Sequence, residues 1–86
     1  MLSIKDAAHR ARQYLVELFG EVADIRLEEV ESEENNWLIT LSFLANAPQE
    51  DAWIMTQSKM IRQYKIFTID RDTGEVLAMR IRTLHV

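Results

Sequence analysis

An α+β fold, one N-terminal amphipathic helix packed on a four-stranded antiparallel sheet, is what this 86-residue sequence predicts. Three observations carry the prediction. Apolar residues recur at spacings of three and four between Ile4 and Phe19, the period of one helix face. Four later stretches alternate apolar and polar residues with the period of two that a half-buried strand needs. The first two and the last two of these stretches are joined by hairpin-sized segments, which implies antiparallel pairing, and one helix can cover one face of such a sheet.

The helix begins at Ser3-Ile4-Lys5-Asp6, a capping-box spacing in which the hydroxyl accepts from an early backbone N–H and the carboxylate reaches back. Ile4, Ala7, Ala8, Ala11, Tyr14, Leu15, Leu18 and Phe19 form its expected buried face. Gly20 follows directly, suited to the left-handed position that ends a helix. From Val22 to Glu31 the alternation slips at Glu28-Glu29. Ile25 and Leu27 share one face and Val30 falls on the other, so a bulge sits there or the strand ends early. Ser32-Glu33-Glu34-Asn35-Asn36 reads as a turn, with Asn suited to positive φ. Trp37, Ile39, Leu41 and Phe43 then give the most apolar strand face in the chain, which belongs against the helix.

Residues 45–59 are irregular and predict a long loop or a short helix that Pro48 could open. The third strand, Ile61 to Asp70, sets Tyr64, Ile66 and Thr68 on one face and Lys65, Phe67 and Ile69 on the other. Asp70-Arg71-Asp72-Thr73-Gly74-Glu75 is the clearest turn, with Gly at a positive-φ position. The last strand, Val76 to Leu84, is expected to turn Leu77, Met79 and Ile81 inward and Ala78, Arg80 and Arg82 outward.

A hydrophobic share of 48% with 28% charged residues is a globular balance, and the length suffices for one domain spanning 1–86 with one core. With no cysteine, disulfides, thiolate metal sites and thiol nucleophiles are excluded. No apolar leader or span is present, so a cytoplasmic location without membrane contact is expected. The net charge of −4 is unevenly spread. From Glu17 to Asp51 ten acidic residues face Arg26 alone, whereas from Lys59 to Val86 six basic residues outnumber three acidic ones. Such asymmetry can steer a charged partner, although solvated strand faces and turns account for it equally well.

The segments Trp37-Leu38-Ile39-Thr40-Leu41-Ser42-Phe43, Tyr64-Lys65-Ile66-Phe67-Thr68-Ile69-Asp70 and Thr73-Gly74-Glu75-Val76-Leu77, after a helix, a glycine and an acidic strand, resemble the PepSY family. The likeness covers nearly the whole chain and rests chiefly on the Asp-x-x-Thr-Gly-Glu-Val-Leu hairpin. It implies a small non-catalytic domain of the kind found beside or within proteases and sensor proteins, inhibiting or regulating them. Two departures stand out: PepSY domains are generally exported, and the 45–59 insertion is longer than the family's usual connection. A looser likeness is to the immunity proteins of bacterial toxin systems.

No chemical motif accompanies the fold. His9 and His85 have no neighbouring ligand at metal-site spacing, so no metal or other cofactor is expected. There is no Gly-x-Ser-x-Gly, and Gly20 and Gly74 alone cannot build a phosphate cradle, so no catalytic residue is assigned and the chain is not expected to be an enzyme. Glu29 and Glu31 share a strand face and could supply paired carboxylates, but surface solvation is the simpler reading. Arg62, Lys65, Arg80 and Arg82 could line a basic strip, which the acidic net charge and missing base-stacking aromatics argue against as a nucleic-acid site. The expected partner is therefore another protein. Its candidate contacts are Trp53, Ile54 and Met55 in the long loop, since Trp and Met are enriched at adaptable binding surfaces, together with Tyr64 and Ile66 on the outer sheet face and Glu29 and Glu31 on the acidic strand. The same apolar loop run would serve as a lid on the core. Two further readings stand behind this one: a homodimeric subunit, and a small enzyme or ligand-binding domain with its site under the 45–59 loop.

Overall fold

A computed structural model describes residues 2–46 and 60–82. The element order is helix α1 (Ile4–Phe19), then strands β1 (Ala23–Glu33), β2 (Asn36–Asn46), β3 (Met60–Asp70) and β4 (Val76–Ile81). The strands form one antiparallel sheet in the order β1-β2-β3-β4, and α1 packs on one face of it. This is the α+β architecture the alternation predicts. The 45–59 segment lies almost wholly outside the described residues.

Helix α1 starts where the cap predicts, with Ser3 Oγ accepting from the Asp6 N–H at 3.1 Å. It ends at Gly20, whose φ of 75° lets its N–H reach the Val16 carbonyl at 2.8 Å. Ala7, Ala11 and Leu15 are buried and Ala8, Tyr14 and Phe19 half-buried. Ile4 and Leu18, expected on that face, are exposed instead, because a sixteen-residue helix crossing a twisted sheet loses contact at its ends. Small side chains in the middle of α1 let the helix axis approach β2. There Ile39, Leu41, Phe43 and Ala45 meet Phe67 and Ile69 of β3 in a closed core. Phe43 stacks edge-on to Phe19, with centroids 5.2 Å apart, and Phe67 to Tyr14 at 6.2 Å.

The slip in β1 is a bulge. Leu27 stands opposite Leu41, Glu29 opposite Thr40 and Val30 opposite Ile39, so the extra residue returns Val30 to the helix side and lets the strand run on to Glu33. A second irregularity lies between Ala23 and Arg26, where Asp24 takes a φ of 48°. In the tight turn after β1 the positive φ falls on Glu34, at 49°, and not on either asparagine. β4 also carries a bulge, between its pairings with Thr68 and Ile69. That shift turns Val76 and Met79 onto the core and leaves Leu77 exposed, correcting the simple alternation of the sequence reading.

One end of the sheet is latched. The Leu2 N–H donates to the Arg71 carbonyl at 2.6 Å and the Leu2 carbonyl accepts from Trp37 Nε1 at 3.1 Å. The Arg71 N–H donates in turn to the Asn35 carbonyl, and its guanidinium lies 4.1 Å over the Trp37 ring. Gly74 sits against this latch with a φ of 77°, and a Cβ there would stand 3.3 Å from Arg10 Nε and 3.5 Å from the Leu2 methyls.

Candidate functional site: the helix-free face of the sheet

Registers decide which side chains share the face that α1 leaves uncovered. Rows run across it as Glu31–Leu38–Thr68–Ala78, then Glu29–Thr40–Ile66–Arg80, then Arg26–Ser42–Tyr64 with Arg82 just beyond the end of β4. A further row joins Leu44 to Arg62. The bulge places Glu28 on this side too, since its carboxylate meets Ser42. Acidic groups therefore crowd the β1 margin and arginines the β3–β4 margin, the same asymmetry seen along the sequence.

The middle of this face is polar and yet closed to water. Thr40 is 3% exposed and Ser42 is 0% exposed, though α1 lies on the other face of the sheet. Long charged side chains take the helix's place. Ser42 Oγ donates to Glu28 Oε2 at 2.5 Å and accepts from Arg62 Nη1 at 2.7 Å. Arg62 is anchored beyond it by the Asp24 carboxylate and carbonyl, and Asp24 also pairs with Arg26 at 2.8 Å. Arg82 spans the sheet diagonally, its Nη1 on the Glu29 carboxylate of β1 and 3.4 Å from Thr40 Oγ1 of β2. That hydrogen bond holds the Glu29 carboxyl below the usual glutamate value, against the opposing effect of burial and with the arginine's charge adding to it, and the same bond raises Arg82 further. Every buried side-chain polar atom among the described residues has a partner.

Either side of the Arg82–Glu29 bar the face is less polar. Leu38, Ile66, Thr68 and Ala78 lie together towards the latched end, all half-buried, with Glu31 at one margin and Arg80 at the other. Leu44 and Tyr64 lie on the opposite side, beside Arg62. The face thus presents a mixed aliphatic strip between oppositely charged margins. Ser42 is a hydroxyl with a carboxylate beside it, yet it is inaccessible and also bound by a guanidinium, so it is a structural bridge and not an exposed nucleophile.

Of the residues singled out in the sequence, Tyr64, Ile66, Glu29 and Glu31 share this face. Glu29 is engaged by Arg82, while Glu31 is exposed. Trp53, Ile54 and Met55 lie outside the described residues. The basic strip does not assemble: Lys65 points to the helix side, its Nζ 5.9 Å from the Phe19 ring, and Arg62 and Arg82 are taken up by carboxylates. Periodicity missed the capping of Thr40 and Ser42, because partners twenty and forty-two positions away leave no local signal. The outward position of Leu38 and Leu44 was available from alternation alone.

On the helix side, a groove of about 340 Å³ lies between α1 and β1, floored by Ile25, Leu27 and Leu41 and rimmed by Lys5, His9 and Arg12. Among the described residues no cluster of three or more His, Asp or Glu is placed to hold a metal ion, and no helix is long and apolar enough to cross a membrane. No protein-family model, curated protein or solved structure matches this chain.

Proposed function

We propose that this chain is a non-catalytic protein-binding module whose partner docks on the helix-free sheet face. The observation that supports the reading is the strip of Leu38, Ile66, Thr68 and Ala78, half-buried and uncovered, between an acidic margin at Glu31 and a basic one at Arg80. Side chains on a sheet stand in rigid rows, so such a face offers an area already ordered before binding, and association then costs less entropy. Opposed margins give orientation and on-rate more than raw affinity. The buried hydrogen-bonded centre beside the strip ties the rows of neighbouring strands together. The PepSY resemblance adds the direction of effect: the module inhibits or regulates its partner, in the manner of a protease regulator or an immunity protein, from the cytoplasm.

The test is cross-linking and mass spectrometry from the native host with wild type, Ile66→Lys and Ala78→Glu, each checked for an unchanged fold by circular dichroism. A stoichiometric partner captured by wild type and lost from both variants is the expected result. Identical capture by all three proteins, or none by wild type, sinks the proposal.

A second reading, ligand binding, draws on the α1–β1 groove, where Lys5, His9 and Arg12 overlook an apolar floor. It predicts chemical-shift changes at Ile25 and Leu27 on titration with an apolar carboxylate such as decanoate.

A further inference from the structure

Both margins of the sheet are strands with an unpaired outer side among the described residues: β1 at one margin and β4 at the other. Exposed edges invite pairing, and proteins usually blunt them with charge and bulges. Here the two edges are blunted by opposite charges. On the helix-free side β1 carries Glu29, Glu31 and Glu33, whereas β4 carries Arg80 with Arg82 just beyond it. On the helix side β4 presents Ile81, 74% exposed and the most exposed large apolar residue described, and β1 presents Leu27, 50% exposed, and Val30.

We propose that the β4 edge of one molecule pairs with the β1 edge of a second copy, continuing the sheet head to tail. Chain direction permits it. In a four-strand meander β1 and β4 run oppositely, so a neighbour in the same orientation brings β1 antiparallel to β4 with both helices on one side of the joint sheet. Side-chain register then decides whether the faces agree. Setting Arg80 opposite the neighbour's Glu31 places Arg82 opposite Glu29, Ile81 opposite Val30 and Ala78 opposite Glu33. On the helix-free face both arginines meet glutamates, with Ala78 beside them opposite Glu33, and on the helix side Ile81 meets Val30 while Met79 meets Ser32. This register uses only the stretch of β1 beyond both of its irregularities, where the strand is regular. A slip of one residue would turn Ile81 among the carboxylates and Arg80 to the apolar side.

Like edges do not join. β1 against β1 sets glutamate rows together, and β4 against β4 sets arginines together, each unfavourable across a strand pair. The contact is therefore heterologous, and repetition with strand twist gives a ring or an open helical array instead of a closed dimer. Arg82 would exchange its own Glu29 for the neighbour's, or share it. The helix-free strips of successive molecules would join into one continuous surface.

The experiment uses three variants of the whole chain, Arg80→Glu, Glu31→Lys and the double Arg80→Glu/Glu31→Lys, in sedimentation velocity at low salt over a wide concentration series. Wild type is expected to grow in mass beyond a dimer as concentration rises, and to dissociate as salt screens the charge rows. Each single variant should remain a monomer by itself. Mixed in equal amounts, the two should co-assemble and grow with concentration again, because one junction pairs the retained Arg80 with the retained Glu31 and the next pairs the two exchanged charges. That complementation also proves both are folded. The double variant, with its charges exchanged, should regain assembly. Since the chain has no cysteine, Val30→Cys/Ile81→Cys adds a direct readout, an oxidised ladder of covalent multimers. A wild type that stays monomeric throughout, association that stops at a dimer, or assembly that survives both single substitutions overturns the proposal. Ile66→Ala, which trims the docking strip and leaves the residues and charges of both edge strands unchanged, should assemble normally, so failure here is separable from failure of the docking face.

Discussion

Phe43 and Ser42 are neighbours in sequence, both at 0% exposure, and point to opposite faces of β2. Truncating each to alanine weighs the two sides of the sheet against one another. Phe43→Ala removes a fully buried ring that packs edge-on against Phe19 in the core between helix and sheet. Such a deletion costs about 3–5 kcal/mol, of which the edge-to-face pair with Phe19 supplies roughly 0.5–1.5 kcal/mol. A domain of 86 residues has a total stability of roughly 4–13 kcal/mol, so the variant sits near the edge of folding. Ser42→Ala removes one hydroxyl that bridges Glu28 and Arg62. Glu28 lies at the surface and recovers water, so the loss should be about 1–2 kcal/mol. Urea unfolding followed by far-ultraviolet circular dichroism measures both. At about 4–8 °C per kcal/mol, the melting temperature should fall by at least ~12 °C for Phe43→Ala. If Phe43→Ala cost no more than Ser42→Ala, the core would not lie between α1 and β2 as described.

Two further outcomes follow from local geometry. Glu29 has its folded pKa below the unfolded one through the Arg82 hydrogen bond, so its contribution to stability is fully present above the ordinary glutamate value and is lost as pH falls through the lowered value. Carboxyl NMR should find Glu29 titrating below the ordinary glutamate value, and Arg82→Gln should return it upward; an unmoved titration refutes the pairing. Gly74→Ala forces a side chain into φ of 77° with Arg10 Nε only 3.3 Å from the new Cβ, and should cost about 1–2 kcal/mol in thermal melts. A neutral Gly74→Ala would mean the turn relaxes to another conformation.

Much of the fold was legible because its signals are local. The three-and-four spacing through Ala7, Ala11 and Leu15, the Ser3 cap and Gly20 delimit α1 with no tertiary information. The Asp70–Gly74 turn is likewise written locally: Asp70 accepts from the N–H groups of Thr73 and Asp72, which holds its carboxyl below the ordinary aspartate value, and Gly74 supplies the positive φ. The slip at Glu28-Glu29 signalled either a bulge or an early end, and only the β2 register separates them. The candidate face was half legible. Alternation joined Tyr64 to Ile66 and Glu29 to Glu31 as two separate pairs, whereas their common face and the roles of Arg62 and Arg82 depend on strands far apart in sequence meeting side by side. Leu77 misled because the bulge opposite Thr68 and Ile69 shifts β4 by one position.

The latch around Leu2 has a consequence for how the molecule can move. Leu2 bonds to Arg71 and Trp37, Arg71 bonds to Asn35 beside it, and Gly74 lies against the Leu2 and Arg10 side chains. The segment leading into the helix is thus clasped by the ends of two hairpins at once. Swinging the helix off the sheet would require breaking both Leu2 hydrogen bonds as well as opening the core, so the helix sits as a keel fixed at its leading end.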